Sequence, residues 1–348
     1  MDRFFFALLA FVPITIIANY LHASPVTIFF LAALSIVPLA KYIGEATEEL
    51  ATHTTPAVAG LLNATFGNAP ELIIGLFALH AGLFDLVKAS LTGSIISNLL
   101  LVLGVAMFAG GWGKVTQLFN RTAVVASGST LFLVTIALIM PALFVYTEPN
   151  LSQSVTMELS VIVSIALLIV YAASLFFSLR THKHLYFEEV GKYETRWSVQ
   201  RSLLTLAVTT LVVACMSDLL VGSVQPLVQA LGWSQLFIGI VVIAIIGNAA
   251  EHYSAVVVAL KDRMDLSLQI SIGSAAQIAM LVAPLLVLIS FAFGQPMNLV
   301  FDPFELVSIA LSVLIVNLVV ADGESNWFEG VQLLAGYAII AIAFFFHP

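Results

Sequence analysis

The chain has 348 residues, of which 61% are hydrophobic and 9% charged, against about 45–50% and about 25% in soluble domains. That balance excludes a water-soluble fold, and a net charge of −8 without any basic tract speaks against nucleic acid as a partner. A single cysteine, Cys215, excludes an intrachain disulfide and a cysteine-based zinc site.

Apolar runs of roughly 20 residues, the length an α-helix needs to cross hydrocarbon, recur along the chain and predict an all-α polytopic membrane protein with eleven transmembrane helices. The first, near 4–22, is too long for a typical signal-peptide core and further spans follow at once, so it reads as an uncleaved helix. The second, near 25–44, runs into GEATEEL, where Glu45, Glu48 and Glu49 gather charge at i, i+3, i+4 spacing. They read equally well as a cation-concentrating entrance or as a solvated helix end. The third, near 57–80, holds GNAPELIIGLFAL, which sets Glu71 in an apolar stretch just after Gly67 and Pro70. The fourth, near 86–109, carries GSIISN from Gly93 to Asn98, and the fifth and sixth lie near 121–145 and 156–179.

The polar stretch THKHLYFEEVGKYETRWSVQR, 181 to 201, is the one long connection and divides the chain into halves. Its Glu188, Glu189 and Glu194, with Asp322, Glu324 and Glu329, suggest either a Ca2+-sensing patch or merely a solvated charge run; His182 and His184 are not expected to form a metal site. The seventh helix, near 202–221, contains MSDLLVG with Asp218, a candidate third titrating group, and is followed by Gln225 and Gln229. The eighth, near 235–260, holds GNAAEHYSAVVVAL with Glu251, and the ninth, near 266–293, holds GSAAQ from Gly273. The last two lie near 303–321 and 328–346.

Glu71 and Glu251 are 180 positions apart, and so are Gly93 and Gly273. One offset shared by two motifs on successive helices indicates duplication. The chain then divides into an extra N-terminal helix (1–24), a first five-helix repeat (25–180), a charged loop (181–201) and a second repeat (202–348). Because five is odd, the second repeat enters the membrane inverted, the arrangement of secondary transporters with a midplane site between the halves. Of the 12 basic residues, all but Lys88 fall on one side of this arrangement. Positive charge marks the cytoplasm, so the N-terminus and the charged loop are expected inside, in a bacterial plasma membrane.

A carboxylate within a span faces a partner, a cavity or a proton. Asn68 with Glu71 and Asn248 with Glu251 share helix faces at i, i+3, as do Ser94 with Ser97 and Ser274 with Gln277, and Asn98 is adjacent. Pro70 lacks an N–H and leaves the Phe66 carbonyl free, while Gly67 and Gly247 permit close approach or unwinding. Two carboxylates among amide, hydroxyl and carbonyl oxygens suit a hard divalent cation, Ca2+ better than Mg2+, which sheds water reluctantly. The hydroxyls of Ser94, Ser97 and Ser274 serve as well for helix packing. Burial favours a protonated carboxyl and a bound cation the ionised form, so cation and proton compete for the same pair, as an exchanger requires.

At GNAPE, GNAAE, GSIISN, GSAAQ, GEATEEL and MSDLLVG the chain resembles the Ca2+/H+ antiporter branch of the cation/Ca2+ exchanger superfamily. The resemblance implies a ten-helix inverted-repeat core plus one extra helix, with Ca2+ and H+ as transported substrates and no cofactor. It implies cation and proton carriage by Glu71 and Glu251, aided by Asn68, Asn248, Ser97, Ser274, Gln277 and neighbouring carbonyls, with the second and seventh helices as sliding gates. Gln225 and Gln229 stand where relatives often have acids. Exchange of Mn2+ or use of Na+ remain alternatives, as does a channel built on the two carboxylates. An intramembrane enzyme has no nucleophile–base pair to support it. The bilayer is the expected surrounding, and self-association into a homo-oligomer is left open.

Overall fold

The structure, a computed structural model, describes residues 2–148, 150, 152–182 and 196–347. The described residues form eleven helical passes. These are α1 (Asp2–Leu8 and Phe11–Tyr20), α2 (Pro25–Thr52), α3 (Pro56–Phe66 and Ala69–His80), α4 (Phe84–Gly111), α5 (Arg121–Thr147) and α6 (Gln153–Thr181). After the charged loop come α7 (Val199–Leu231), α8 (Gln235–Gly247 and Ala249–Leu260), α9 (Met264–Ser290), α10 (Pro303–Val319) and α11 (Trp327–Phe346). Eight of them are each long and apolar enough to span a bilayer, and the two parts of α8, bent by 58°, form a ninth span. The remaining two are the interrupted α3 and the 17-residue α10.

Local chemistry sets the ends of these helices. Ser24 accepts a hydrogen bond from the Thr27 amide ahead of Pro25, Asn120 caps α5 and Ser198 caps α7. Asp302 and Asn326 close full capping boxes with Glu305 and Glu329. Two expected boundaries fall short by two turns or more: α7 runs on to Leu231 rather than ending near 221, and α2 continues to Thr52 rather than stopping near 44. Its apolar run ends there, but GEATEEL is a good helix former and extends the helix past the hydrophobic stretch. Glu324 and Asp322 serve local turns, with the Glu324 amide donating to Asp322 Oδ1. Glu188, Glu189, Glu194 and His184 lie outside the described residues.

The duplication is visible in the backbone. Gly82 and Asp262, 180 positions apart, both adopt left-handed conformations, at φ 72° and 62°. The interruptions of α3 and α8 coincide at the same offset, and π-helical turns begin at Ser97 in α4 and at Ile278 in α9. α3, α4, α8 and α9 form the centre; α5 packs on α9 and α10 on α4, while α2 and α7 lie along each other over one side. Within the first repeat, α1 packs mainly on α2.

At the end of the bundle that carries the basic loops, a two-residue antiparallel pair joins Gln117–Leu118 to Glu324–Ser325, a small departure from the all-helical expectation. There Lys114 and Gln117 both donate to Asp262 at 2.8 Å. These bonds hold the Asp262 carboxyl below its ordinary range, the Gln117 contact contributing most. At the other end Lys88, the lone basic residue there in sequence, donates to Asn298 Oδ1 and the Val300 carbonyl.

Glycines set the closest helix approach. A β-carbon at Gly330 of α11 would lie 2.4 Å from the Phe108 amide nitrogen and 2.7 Å from the Gly104 carbonyl of α4. Gly330→Val is therefore expected to cost at least about 1–3 kcal/mol by overpacking, read as earlier thermal unfolding of purified protein in detergent. Gly336→Ala, whose new carbon would meet only Leu100 at 3.8 Å, should stay within about 0.5 kcal/mol. Equal losses would contradict this packing.

Candidate functional site

Glu71 and Glu251 sit at matching places, each in the first turn of a half-helix that restarts inside the bundle. α3 breaks at Gly67–Asn68, where Asn68 leaves helical geometry at φ −101°, ψ 24° and Pro70 follows in the first new turn. α8 breaks at Asn248, at φ −87°, ψ 12°, without a proline. The first turn of a helix favours negative charge through its unpaired amides. Each break thus converts an ordinary span into a place where a carboxylate is tolerated.

The two breaks meet. A β-carbon at Gly247 would lie 3.2 Å from Glu71 Oε1 and 3.4 Å from its Cγ and Cδ, so the Glu71 side chain rests on the backbone of the opposite repeat. Glu71 is 8% exposed, and neither carboxyl oxygen has a hydrogen-bond partner. Glu251 is half-buried. A buried carboxylate without a partner is costly enough that it holds a proton or a cation.

Around the carboxylates the predicted polar residues form one network that crosses between the repeats. Asn68 Nδ2 donates to Gln277 Oε1 at 2.8 Å, and Ser274 Oγ donates to Asn68 Oδ1 at 3.0 Å. Asn248 Nδ2 donates to Ser94 Oγ at 2.8 Å and to the Ala244 carbonyl at 2.9 Å. Asn98 links these halves, its Nδ2 donating to Asn248 Oδ1 at 2.8 Å and to Ser274 Oγ at 3.2 Å. Asn98 has no symmetric mate, because the position 180 further on is Ile278. Its own Oδ1 is buried without a partner. Ser97 donates only to the Ser94 carbonyl of its own helix.

Other expected residues lie elsewhere. Glu45 pairs with Lys41 one turn before it. Glu49 Oε2 accepts from the backbone amides of Arg196 and Trp197 at 3.0 and 3.1 Å, fastening the end of the charged loop to α2. Glu48 is the exposed member of the three. Asp218 is exposed on α7 and does not join the buried pair. His252 Nε2, next in sequence to Glu251, is buried without a partner. Lys41, read from sequence only as an orientation marker, is buried at 8% exposure; a basic residue inside an apolar run was the available signal.

The site is closed on one side. Between α4 and the first half of α8, a β-carbon at Gly93 would lie 2.2 Å from the Ile240 carbonyl, and one at Gly239 2.5 Å from the Ala89 β-carbon. The matching place at the basic end is open, for Gly273 has no described atom within 4 Å of such a position. Ile243 is 3% exposed, whereas Asn63, its counterpart 180 positions earlier, is exposed. Two repeats of one fold are therefore packed differently, tightly at Gly93 and Gly239 and loosely at Gly273.

The sodium/calcium exchanger protein family matches residues 24–180 and 201–346. The chain is 48% identical to a Ca2+/H+ antiporter of Synechocystis, covering 100% of this chain and 98% of that protein. It is 44% identical to the Ca2+/H+ antiporter ChaA of Bacillus subtilis, covering 99% of each. It superposes on the structure of native YfkE with a TM-score of 0.88 at 40% identity, over 99% of this chain and 100% of that one.

Asn98→Ala removes both donations and leaves Asn248 Oδ1 buried without a donor. The expected loss is about 1–3 kcal/mol by thermal unfolding, whereas Ser97→Ala, which breaks one bond within its own turn, should cost less. A neutral Asn98→Ala would show that the network does not hold the repeats together.

Proposed function

The chain belongs to the sodium/calcium exchanger family, and on that premise we propose that it exports Ca2+ from the cytoplasm in exchange for H+, with both ions carried in turn by Glu71 and Glu251. The observation that carries this reading is the meeting of one glutamate from each repeat at facing helix breaks, with both Glu71 oxygens buried and unpartnered. One Ca2+ or two protons would each neutralise the pair. A doubly ionised, ion-free pair would be expensive to bring through the closed centre of the bundle. That penalty discourages an empty return and couples the two fluxes.

The network defines which oxygens are available. The amide oxygens of Asn68, Asn248 and Gln277 already accept hydrogen bonds, so these residues, with Ser94 and Ser274, hold the shape of the site. The oxygens without partners are those of Glu71 and Asn98 Oδ1. With Glu251 and the backbone carbonyls of Gly67 and Gly247, they offer an oxygen-rich, flexible set of the kind Ca2+ accepts. The seal at Gly93 and Gly239, against the opening at Gly273, supports a carrier that exposes its site to one side at a time, rather than a pore.

The basic end is the cytoplasmic one in this reading, so the described conformation is open to the cytoplasm. A cysteine introduced beside Pro348 should react with an impermeant reagent from outside, and one at Lys192 should not. The opposite pattern would reverse the orientation.

In proteoliposomes with an imposed pH gradient, Glu71→Gln and Glu251→Gln should each abolish Ca2+ uptake, a loss of at least about 100-fold if the charge is indispensable to ion binding. Glu71→Asp, which still titrates but is one methylene shorter, should retain part of the rate. A folded, inserted Glu71→Gln protein that exchanged near the wild-type rate would leave Glu71 with only a structural role.

A further inference from the structure

α1 stands outside the repeat, and its surface is mostly exposed: Phe4 is 62% and Phe6 69% exposed, while Phe5 between them is 5% exposed. Leu9 and Val12 pack against the core on its inner face, and its two buried residues, Phe5 and Thr15, make three specific contacts. Midway along, Thr15 and Ser35 of α2 pair their hydroxyls at 3.0 Å, both fully buried, which fixes α1 to α2. At the cytoplasmic end the Phe5 ring lies 5.0 Å from the Lys41 ammonium of α2. The same ring meets Tyr253 edge-on, with centroids 5.2 Å apart and planes at 71°. Tyr253 is on α8, two residues beyond Glu251. Phe5 therefore spans from the α1–α2 pair to the half-helix that carries one of the two glutamates.

We propose that α1 is a latch for the cytoplasm-open conformation, with Phe5 as its positioning residue and Tyr253 as its keeper. α1 travels with α2 through the Thr15–Ser35 bond and the Phe5–Lys41 contact. The Phe5–Tyr253 contact, by contrast, joins this pair to the centre of the bundle. Any displacement of α2 relative to α8 parts that contact and no other made by α1's buried residues. The latch has no counterpart on the outer side, because α1 has no repeat mate and the position matching Lys41 is Val221. It therefore stabilises one of the two access states and gives the two sides of the membrane unequal occupancy. Buried aromatic and cation–π contacts are strong enough to shift such an equilibrium several-fold.

The inference rests on the alternating-access reading above but not on which ions are exchanged, and its test reads conformation without transport. Asn63, exposed at the open cytoplasmic side, is replaced by cysteine in a Cys215→Ser background. Its reaction with an impermeant maleimide is then timed in inside-out vesicles. Phe5→Ala should slow labelling by about 3–10-fold; Tyr253→Leu should do the same. The double variant should be no slower than either single one, and Phe5→Trp should label as the parent does. Unchanged labelling in Phe5→Ala protein that is folded by size-exclusion profile would overturn the latch. So would additive effects of the two substitutions, because two independent packing losses add whereas one shared contact is lost once.

Discussion

A carboxyl group inside a membrane protein must be neutralised, and Glu71 has no protein partner to do it. This one constraint organises the centre of the bundle. The broken helices exist where they do because an unbroken span offers a carboxylate neither free amides nor room. Gly247 lets the Glu71 side chain lie close against the opposite backbone, where a β-carbon would come within 3.2 Å of Oε1. The surrounding amides and hydroxyls largely satisfy one another, while both Glu71 oxygens stay without a partner. In the function proposed for this pair, proton and Ca2+ answer the same electrostatic demand and so exclude each other.

Transport also needs a change of access, and the duplicated architecture supplies it from nearly identical parts. Gly93 and Gly273 occupy equivalent places, yet a β-carbon at one would meet Ile240 and a β-carbon at the other would meet no described atom within 4 Å. Inverted repeats in unlike packings imply that exchanging their conformations opens the opposite side. The exchange is not fully symmetric in this chain. Asn98 bridges the halves where the second repeat has Ile278, Pro70 is matched by Ala250, and α1 has no counterpart in the second repeat.

Much of this was legible in the sequence. The offset of 180 located both glutamates, both glycine breaks and the paired Ser94 and Ser274, because duplication preserves spacing even where composition drifts. Hydropathy found all eleven passes but placed the end of α2 two turns early, since a helix persists in water after its apolar run ends. The surroundings of the acids at the end of α2 were illegible for a different reason. Spacing showed that Glu45 and Glu49 were near each other, but not that Lys41 and the Arg196–Trp197 backbone would engage them. The wiring of Asn98 to both Asn248 and Ser274 was equally beyond reach, because contacts across the repeat interface leave no periodic trace in the chain.

The central claim is that Ca2+ and protons compete for Glu71 and Glu251, and it is tested most directly by proton release on Ca2+ binding. Purified protein in weakly buffered detergent solution, near neutral pH, is titrated with Ca2+ while a pH indicator counts the protons released. The account predicts stoichiometric release that saturates with Ca2+ binding and is lost in the Glu71→Gln, Glu251→Gln double variant. Saturable Ca2+ binding by the wild-type protein without proton release at any pH between about 5 and 9 would contradict it, given carboxylates that must otherwise hold protons when buried.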